Sequence, residues 1–155
     1  EVCGYDLYAD EVEAKKRLAF VPDIPRFYTE LTAWEHLKFV ALAHGAEDGF
    51  EAHAQSVLGE LGLWDARDLY PHNYSRGMRL KLGLALAFIR PFQVMVMDEP
   101  TSALDPQSTD YLKNKLLDLR YQGKTILISS HHLGIIEELN ARHWVMEQGQ
   151  LQSDR

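Results

Sequence analysis

Residues 94–105 read V-M-V-M-D-E-P-T-S-A-L-D. Val94, Met95, Val96 and Met97 are apolar without alternation, the pattern of a strand buried on both faces of a parallel sheet. Asp98 and Glu99 follow at its end. Two adjacent carboxylates are costly at the carboxyl end of a central strand unless a metal ion or a proton-transfer task offsets the cost. Pro100 has no N–H to continue a ladder, so the strand stops there. Asp105-Pro106 has the form of a helix N-cap followed by proline at the first helical position.

Around this stretch the chain has 155 residues, enough for one domain with a real core. Hydrophobic residues make up 46% and charged residues 25%, a balance that points to a soluble globular protein. The net charge of -7 disfavours a nucleic-acid groove or a general attraction to anionic lipid. Cys3 is the one cysteine, so no internal disulfide forms and a reducing cytoplasm fits. No apolar run approaches the ~20 residues that span a bilayer. The amino-terminal E-V-C-G-Y-D-L lacks the basic and apolar regions of a signal peptide. A membrane role therefore has to come through a partner.

Upstream, Val2-Cys3 reads as the end of a strand and Gly4 as a turn. Asp10 to Arg17 predicts one or two exposed helical turns. Leu18 to Val21 predicts a short strand, broken by Pro22, with Asp23 and Pro25 in the loop that follows. Residues 26–74 read as helical. Thr32-Ala33-Trp34-Glu35 matches a capping box, with Trp34, Leu37, Val40 and Ala41 on one face and Gly45 as a stop. A second helix spans Phe50 to Leu61, carries Ala54, Val57 and Leu58 at helical spacing, and ends at Gly62. Trp64 to Tyr70 is a third short piece closed by Pro71. Phe27, Tyr28 and Trp34 gather near the proline-rich loop, either as local packing or as a groove for a partner's helix.

Residues 73–87 read N-Y-S-R-G-M-R-L-K-L-G-L-A-L-A. Ser75 is a good N-cap for a helix from about Arg76 to Arg90, stopped before Pro91. From Leu82 to Ile89 the helix is apolar on nearly all sides and is expected to be buried. Its amino end presents free N–H groups, a partial positive dipole and a serine hydroxyl, which suits an anionic phosphate. Gly77 allows close approach to the backbone. Downstream, Leu112, Leu116 and Leu119 line one face of a helix ending near Gly123, and Thr125 to Ser129 form a strand. Strand, helix and strand make a βαβ unit with parallel strands. His131 follows at the sheet edge where Asp98 and Glu99 sit. Ile135, Ile136 and Leu139 predict a short helix. Trp144-Val145-Met146, a Gln148-Gly149 turn and Leu151 predict a terminal hairpin.

The string D-E-P-T-S-A-L-D resembles a Walker B motif running into the D-loop of ABC transporter ATP-binding subunits. Y-S-R-G-M resembles that family's signature loop, with Arg76 where a glycine and Met78 where a glutamine is more familiar. The resemblance implies an α/β fold, a partial P-loop NTPase-like parallel sheet with an α-helical subdomain inserted. Residues 1–24 and 75–155 would form the ATPase core and 25–74 the insert. It implies ATP and Mg²⁺ as cofactors. Asp98 would serve the metal, while Glu99 and His131 would serve the attacking water and the γ-phosphate. Ser75, Arg76, Gly77 and Met78 would face a nucleotide held by a second ATP-binding subunit, with Ser102 and Asp105 on the D-loop of that shared site. Asp23 stands where the Q-loop has glutamine; an ionised acid adds a charge there and donates nothing.

The implied partners are a transmembrane permease subunit and a second ATP-binding subunit, with no nucleic acid. The implied setting is the cytoplasmic face of the plasma membrane, and Y-S-R-G-M favours export. The alternatives are a soluble ABC-type ATPase without a transport role and a non-catalytic regulatory fragment. The family's phosphate loop, G-x-x-x-x-G-K-[ST], is not found in these residues. Gly123-Lys124-Thr125 is the only G-K-T, but Asp118 stands five residues before Gly123 and the triplet precedes a strand. The resemblance places that loop upstream of the Q-loop, so the chain is expected to be part of a larger gene product.

Overall fold

The computed structural model describes residues 1–131, 134 and 138–153. The predicted short helix through Ile135 and Ile136 lies outside the described residues. Helix α1 (Glu11–Arg17) leads directly into strand β1 (Leu18–Val21). Helices α2 (Ala33–Ala43), α3 (Phe50–Glu60) and α4 (Arg76–Phe88) follow, then β2 (Val94–Asp98), α5 (Pro106–Tyr121) and β3 (Thr125–Ser129). A hairpin of β4 (Trp144–Glu147) and β5 (Gln150–Ser153) comes last. No helix among the described residues is long and apolar enough to cross a membrane.

Strands β1, β2 and β3 form a parallel sheet with β2 in the centre. The register aligns Ala19 with Met95 and Ile126, and Val21 with Met97 and Ile128. Period-two alternation puts these six on one face. Ala19, Val21, Met95 and Met97 are fully buried there, joined by the apolar sides of α4 and α5 in one continuous core. The opposite face carries Phe20, Val96 and Leu127 in one row. Phe20 is 58% and Leu127 51% exposed. The expectation that β2 is buried on both faces is therefore corrected: its apolar residues are fully covered on one side only. An apolar run licenses two covering layers but does not supply the second.

The local signals behave as their chemistry dictates. Thr32 Oγ1 accepts from the Glu35 amide while the Glu35 carboxylate accepts from the Thr32 amide, a complete capping box for α2. Ser75 caps α4 by accepting from the Met78 amide at 3.2 Å. Gln148 and Gly149 both take positive φ, the two-residue turn that matches strand twist in a hairpin.

Other expectations need correction. Val2 and Tyr5 form an isolated bridge around a Cys3-Gly4 turn, so Val2-Cys3 does not end a strand. Trp64 to Tyr70 yields only a 3₁₀ turn at Trp64–Ala66, and a second turn at Pro71–Asn73 begins where closure was expected. Trp34 packs against Phe50 and Trp64, apart from Phe27 and Tyr28, which instead gather on His36. The core runs without a break from β1 and β2 into α2, α3 and α4.

Asp105 caps α5. Its carboxylate accepts from the Ser108 amide at 2.9 Å and lies 2.5 Å from Lys81 Nζ on α4. Lys81 first, and the Ser108 amide next, hold its carboxyl down at about 2. A carboxyl held low in the folded state stabilises the fold above its unfolded value of 3.8. That contribution is lost as pH falls toward 2. Asp105→Ala is expected to cost about 1 kcal/mol in urea unfolding at pH 7. The difference from the parent should shrink below pH 4, and an undiminished gap at pH 2.5 would refute the charge-based account.

Candidate functional site

The carboxyl ends of β2 and β3 meet in register at Asp98 and Ser129. Asp98 is exposed and its Oδ1 accepts from Ser129 Oγ at 2.5 Å. The next residue, Glu99, takes φ +47, a left-handed conformation that a glutamate adopts only when its surroundings hold it there. Its amide donates to the Ser129 carbonyl at 3.0 Å, extending the ladder by one bond before Pro100 ends it. The turn places the Glu99 side chain beside the residue that follows β3. Oε1 accepts from the His131 amide at 3.0 Å. Oε2 is cut off from solvent and lies 2.8 Å from His131 Nδ1 without an aligned hydrogen bond. Asp98, Glu99 and His131, far apart in sequence, thus share one corner of the sheet.

A second group forms at the amino end of α4. Gly77 has a packing reason beyond the one read from sequence: a Cβ there would sit 2.6 Å from the Ala103 carbonyl oxygen. Lys81, one turn further along α4, reaches Asp105. The loop after β2 is therefore seated against α4 at both ends of the Ala103–Asp105 segment. Met78 is partly buried against the core. Gly83 admits the loop after β1, since a Cβ there would sit 2.8 Å from Pro25 Cγ.

Asp23, Arg76 and Ser102 make direct contacts. Arg76 Nη2 donates to Asp23 Oδ1 at 3.0 Å and lies 3.2 Å from Oδ2. Ser102 Oγ donates to Asp23 Oδ1 at 2.7 Å and accepts from Arg76 Nη2 at 3.4 Å. The Ser102 hydrogen bond, and after it Arg76, hold the Asp23 carboxyl below its usual range. The Ser102 amide also donates to the Glu99 carbonyl at 3.1 Å, so one turn joins this group to the sheet corner.

Sequence reasoning missed Ser129, whose hydroxyl orients Asp98, and Lys81, whose ammonium fixes Asp105. Ser129 had a signal in S-S-H at a strand end; Lys81 had none beyond its helical register with the signature stretch. The carboxylate of Asp105 is occupied by Ser108 and Lys81. Among the described residues no group of three or more His, Cys, Asp or Glu side chains is placed to hold a metal ion. A lone exposed carboxylate such as Asp98 fits Mg²⁺, which commonly keeps several waters and binds through one or two carboxylates plus substrate phosphates.

A family model described as ABC transporter matches residues 3–102. The uncharacterized ABC transporter ATP-binding protein YthP of Bacillus subtilis (strain 168) is 38% identical over 134 residues, which are 86% of this chain and 57% of that protein. The fluoroquinolones export ATP-binding protein Rv2688c of Mycobacterium tuberculosis (strain ATCC 25618 / H37Rv) is 32% identical over 124 residues, covering 80% of this chain and 40% of that protein. A solved structure described as the ATP binding subunit of an ABC transporter superimposes with a TM-score of 0.83 at 31% identity, covering 88% of this chain and 57% of the other. The chain spans about half the length of the curated relatives it matches.

Proposed function

The chain belongs to the ABC transporter family, and on that premise we propose that the protein carrying it binds and hydrolyses ATP to drive transport across a membrane. The observation that carries this reading is Glu99. A glutamate held at positive φ, with one oxygen sealed from solvent beside a histidine at a strand's carboxyl end, is arranged for proton or water work. Bound Mg²⁺ would neutralise charge on the transferring phosphate. In this reading Asp98, oriented by Ser129, serves the metal. Glu99 accepts the proton of a water, and His131 fixes the Glu99 carboxylate through its amide and faces the same corner. Ser75, Arg76, Gly77 and Met78 present the α4 amino end to a nucleotide on a second copy. Ser102 and Asp105 shape the loop beside it.

We read residues 1–24 with 75–155 as the ATPase core and 25–74 as its helical insert; α2 and α3 fall in the second and the parallel sheet in the first. The exposed apolar side chains of Ile24, Tyr28, Phe39 and Leu42 support a docking face for a transmembrane permease subunit at the cytoplasmic face of the membrane. Export is the direction we propose, in keeping with the printed name of the Mycobacterium relative. The test is phosphate release by the intact protein in membrane vesicles. Release is expected with ATP and Mg²⁺ and not with ATP and a chelator. Absence of release in the presence of Mg²⁺ would overturn the reading.

A further inference from the structure

Two positions of this chain depart from the motifs they resemble by gaining a charge, and the two charges meet. Asp23 and Arg76 are 53 residues apart, and Ser102 lies a further 26 residues along. The three close a triangle in which each touches the other two. We propose that Asp23, Arg76 and Ser102 form a clasp that makes the loop after β1, the amino end of α4 and the loop after β2 move as one body, with Arg76 and Asp23 as positioning residues for Glu99. The inference deepens the ATPase reading and rests on it for its kinetic readout alone.

The packing around the clasp explains why it is polar. The loop after β1 already touches α4 where Pro25 meets Gly83, and the loop after β2 touches it where the Ala103 carbonyl meets Gly77. Both are close contacts against a glycine, and the dispersion attraction of so few atom pairs adds little resistance to separation. Hydrogen bonds and an ion pair do resist separation. The Asp23 carboxylate takes one donor from each of the two other segments, so pulling either away leaves it short of a partner. An ionised acid at position 23 would also leave an uncompensated negative charge on this loop, and Arg76 offsets it. Surface ion pairs add little to overall stability, so the expected consequence is positional. The link to chemistry runs through the Ser102 amide on the Glu99 carbonyl, at the base of the left-handed turn.

The test compares Asp23→Ala, Arg76→Ala, the double variant and Arg76→Lys in the intact protein, by ATP turnover and by amide hydrogen exchange. Each alanine variant is expected to lower kcat about tenfold with KM changed less than about twofold, and the double variant to be no worse than either single one. Arg76→Lys, which keeps the cation but loses the guanidinium fork, should recover part of the kcat lost in Arg76→Ala. Arg76→Ala should also speed exchange across residues 22–31, a change readable without any turnover. Losses that multiply in the double variant, or Arg76→Lys as damaged as Arg76→Ala, would overturn the clasp. So would unchanged exchange at residues 22–31. An unmodified protein without turnover overturns the ATPase reading instead, and the exchange data then judge the clasp alone.

Discussion

Glu99→Gln in the intact protein is expected to retain ATP binding and to hydrolyse ATP at least about a hundredfold more slowly, the scale of a lost general base. Glutamine is nearly isosteric, so its Oε1 can still accept from the His131 amide and the loop need not move. What disappears is the carboxylate oxygen now sealed from solvent 2.8 Å from His131 Nδ1. An amide cannot take a proton from water at neutral pH, whichever way it is flipped. Binding is expected to persist because Asp98, with its Ser129 partner, is untouched. Filter retention of labelled ATP measures the first property and phosphate release the second. Parent-like turnover would remove Glu99 from the chemistry. Loss of binding together with turnover would show that the substitution disturbed Asp98 or the turn.

Features decided within a few residues were legible in the chain. The capping box at Thr32–Glu35, the caps at Ser75 and Asp105, and the Gln148-Gly149 turn each depend on one side chain and its own neighbours. The strand from Val94 was legible for the same reason, and so was the prediction that His131 lies at the edge shared by Asp98 and Glu99: parallel strands joined by a helix bring their carboxyl ends together. What a residue packs against was not legible. Trp34 chose Phe50 and Trp64 over the nearer Phe27 and Tyr28, because α2 turns that side toward α3. His36, unremarked in the sequence, anchors the other aromatics by accepting from the Tyr28 amide and contacting the Thr32 carbonyl. Gly77 has a packing role that its sequence position does not show: a Cβ there would sit 2.6 Å from the Ala103 carbonyl oxygen. The Asp23–Arg76–Ser102 contact needs three loops placed at once, and no periodicity encodes it.

The polypeptide of residues 1–155, prepared by itself, is expected to bind ATP at least about a hundredfold more weakly than the intact protein. A phosphate cradle needs several backbone N–H groups that converge and are free. Gly123-Lys124-Thr125 is the nearest candidate in sequence, and the structure spends all three of its amides elsewhere. The Gly123 amide donates to the Arg120 carbonyl and the Lys124 amide to the Leu119 carbonyl, closing the carboxyl end of α5. The Thr125 amide donates to the Gln93 carbonyl as β3 begins. Gly123 takes φ +78 to make that exit, so the triplet is a helix stop. At the amino end of α4 the Ser75 hydroxyl already takes the Met78 amide, which leaves one fewer free N–H group there. In the proposed reading Asp98, Glu99 and His131 would position a metal, a proton and a water, each useful only against a phosphate held still by other groups. Titration of a fluorescent ATP analogue with Mg²⁺ measures the difference. Saturable, Mg²⁺-dependent binding in the micromolar range by residues 1–155 alone would mean that these residues hold the phosphates by a route other than backbone amides.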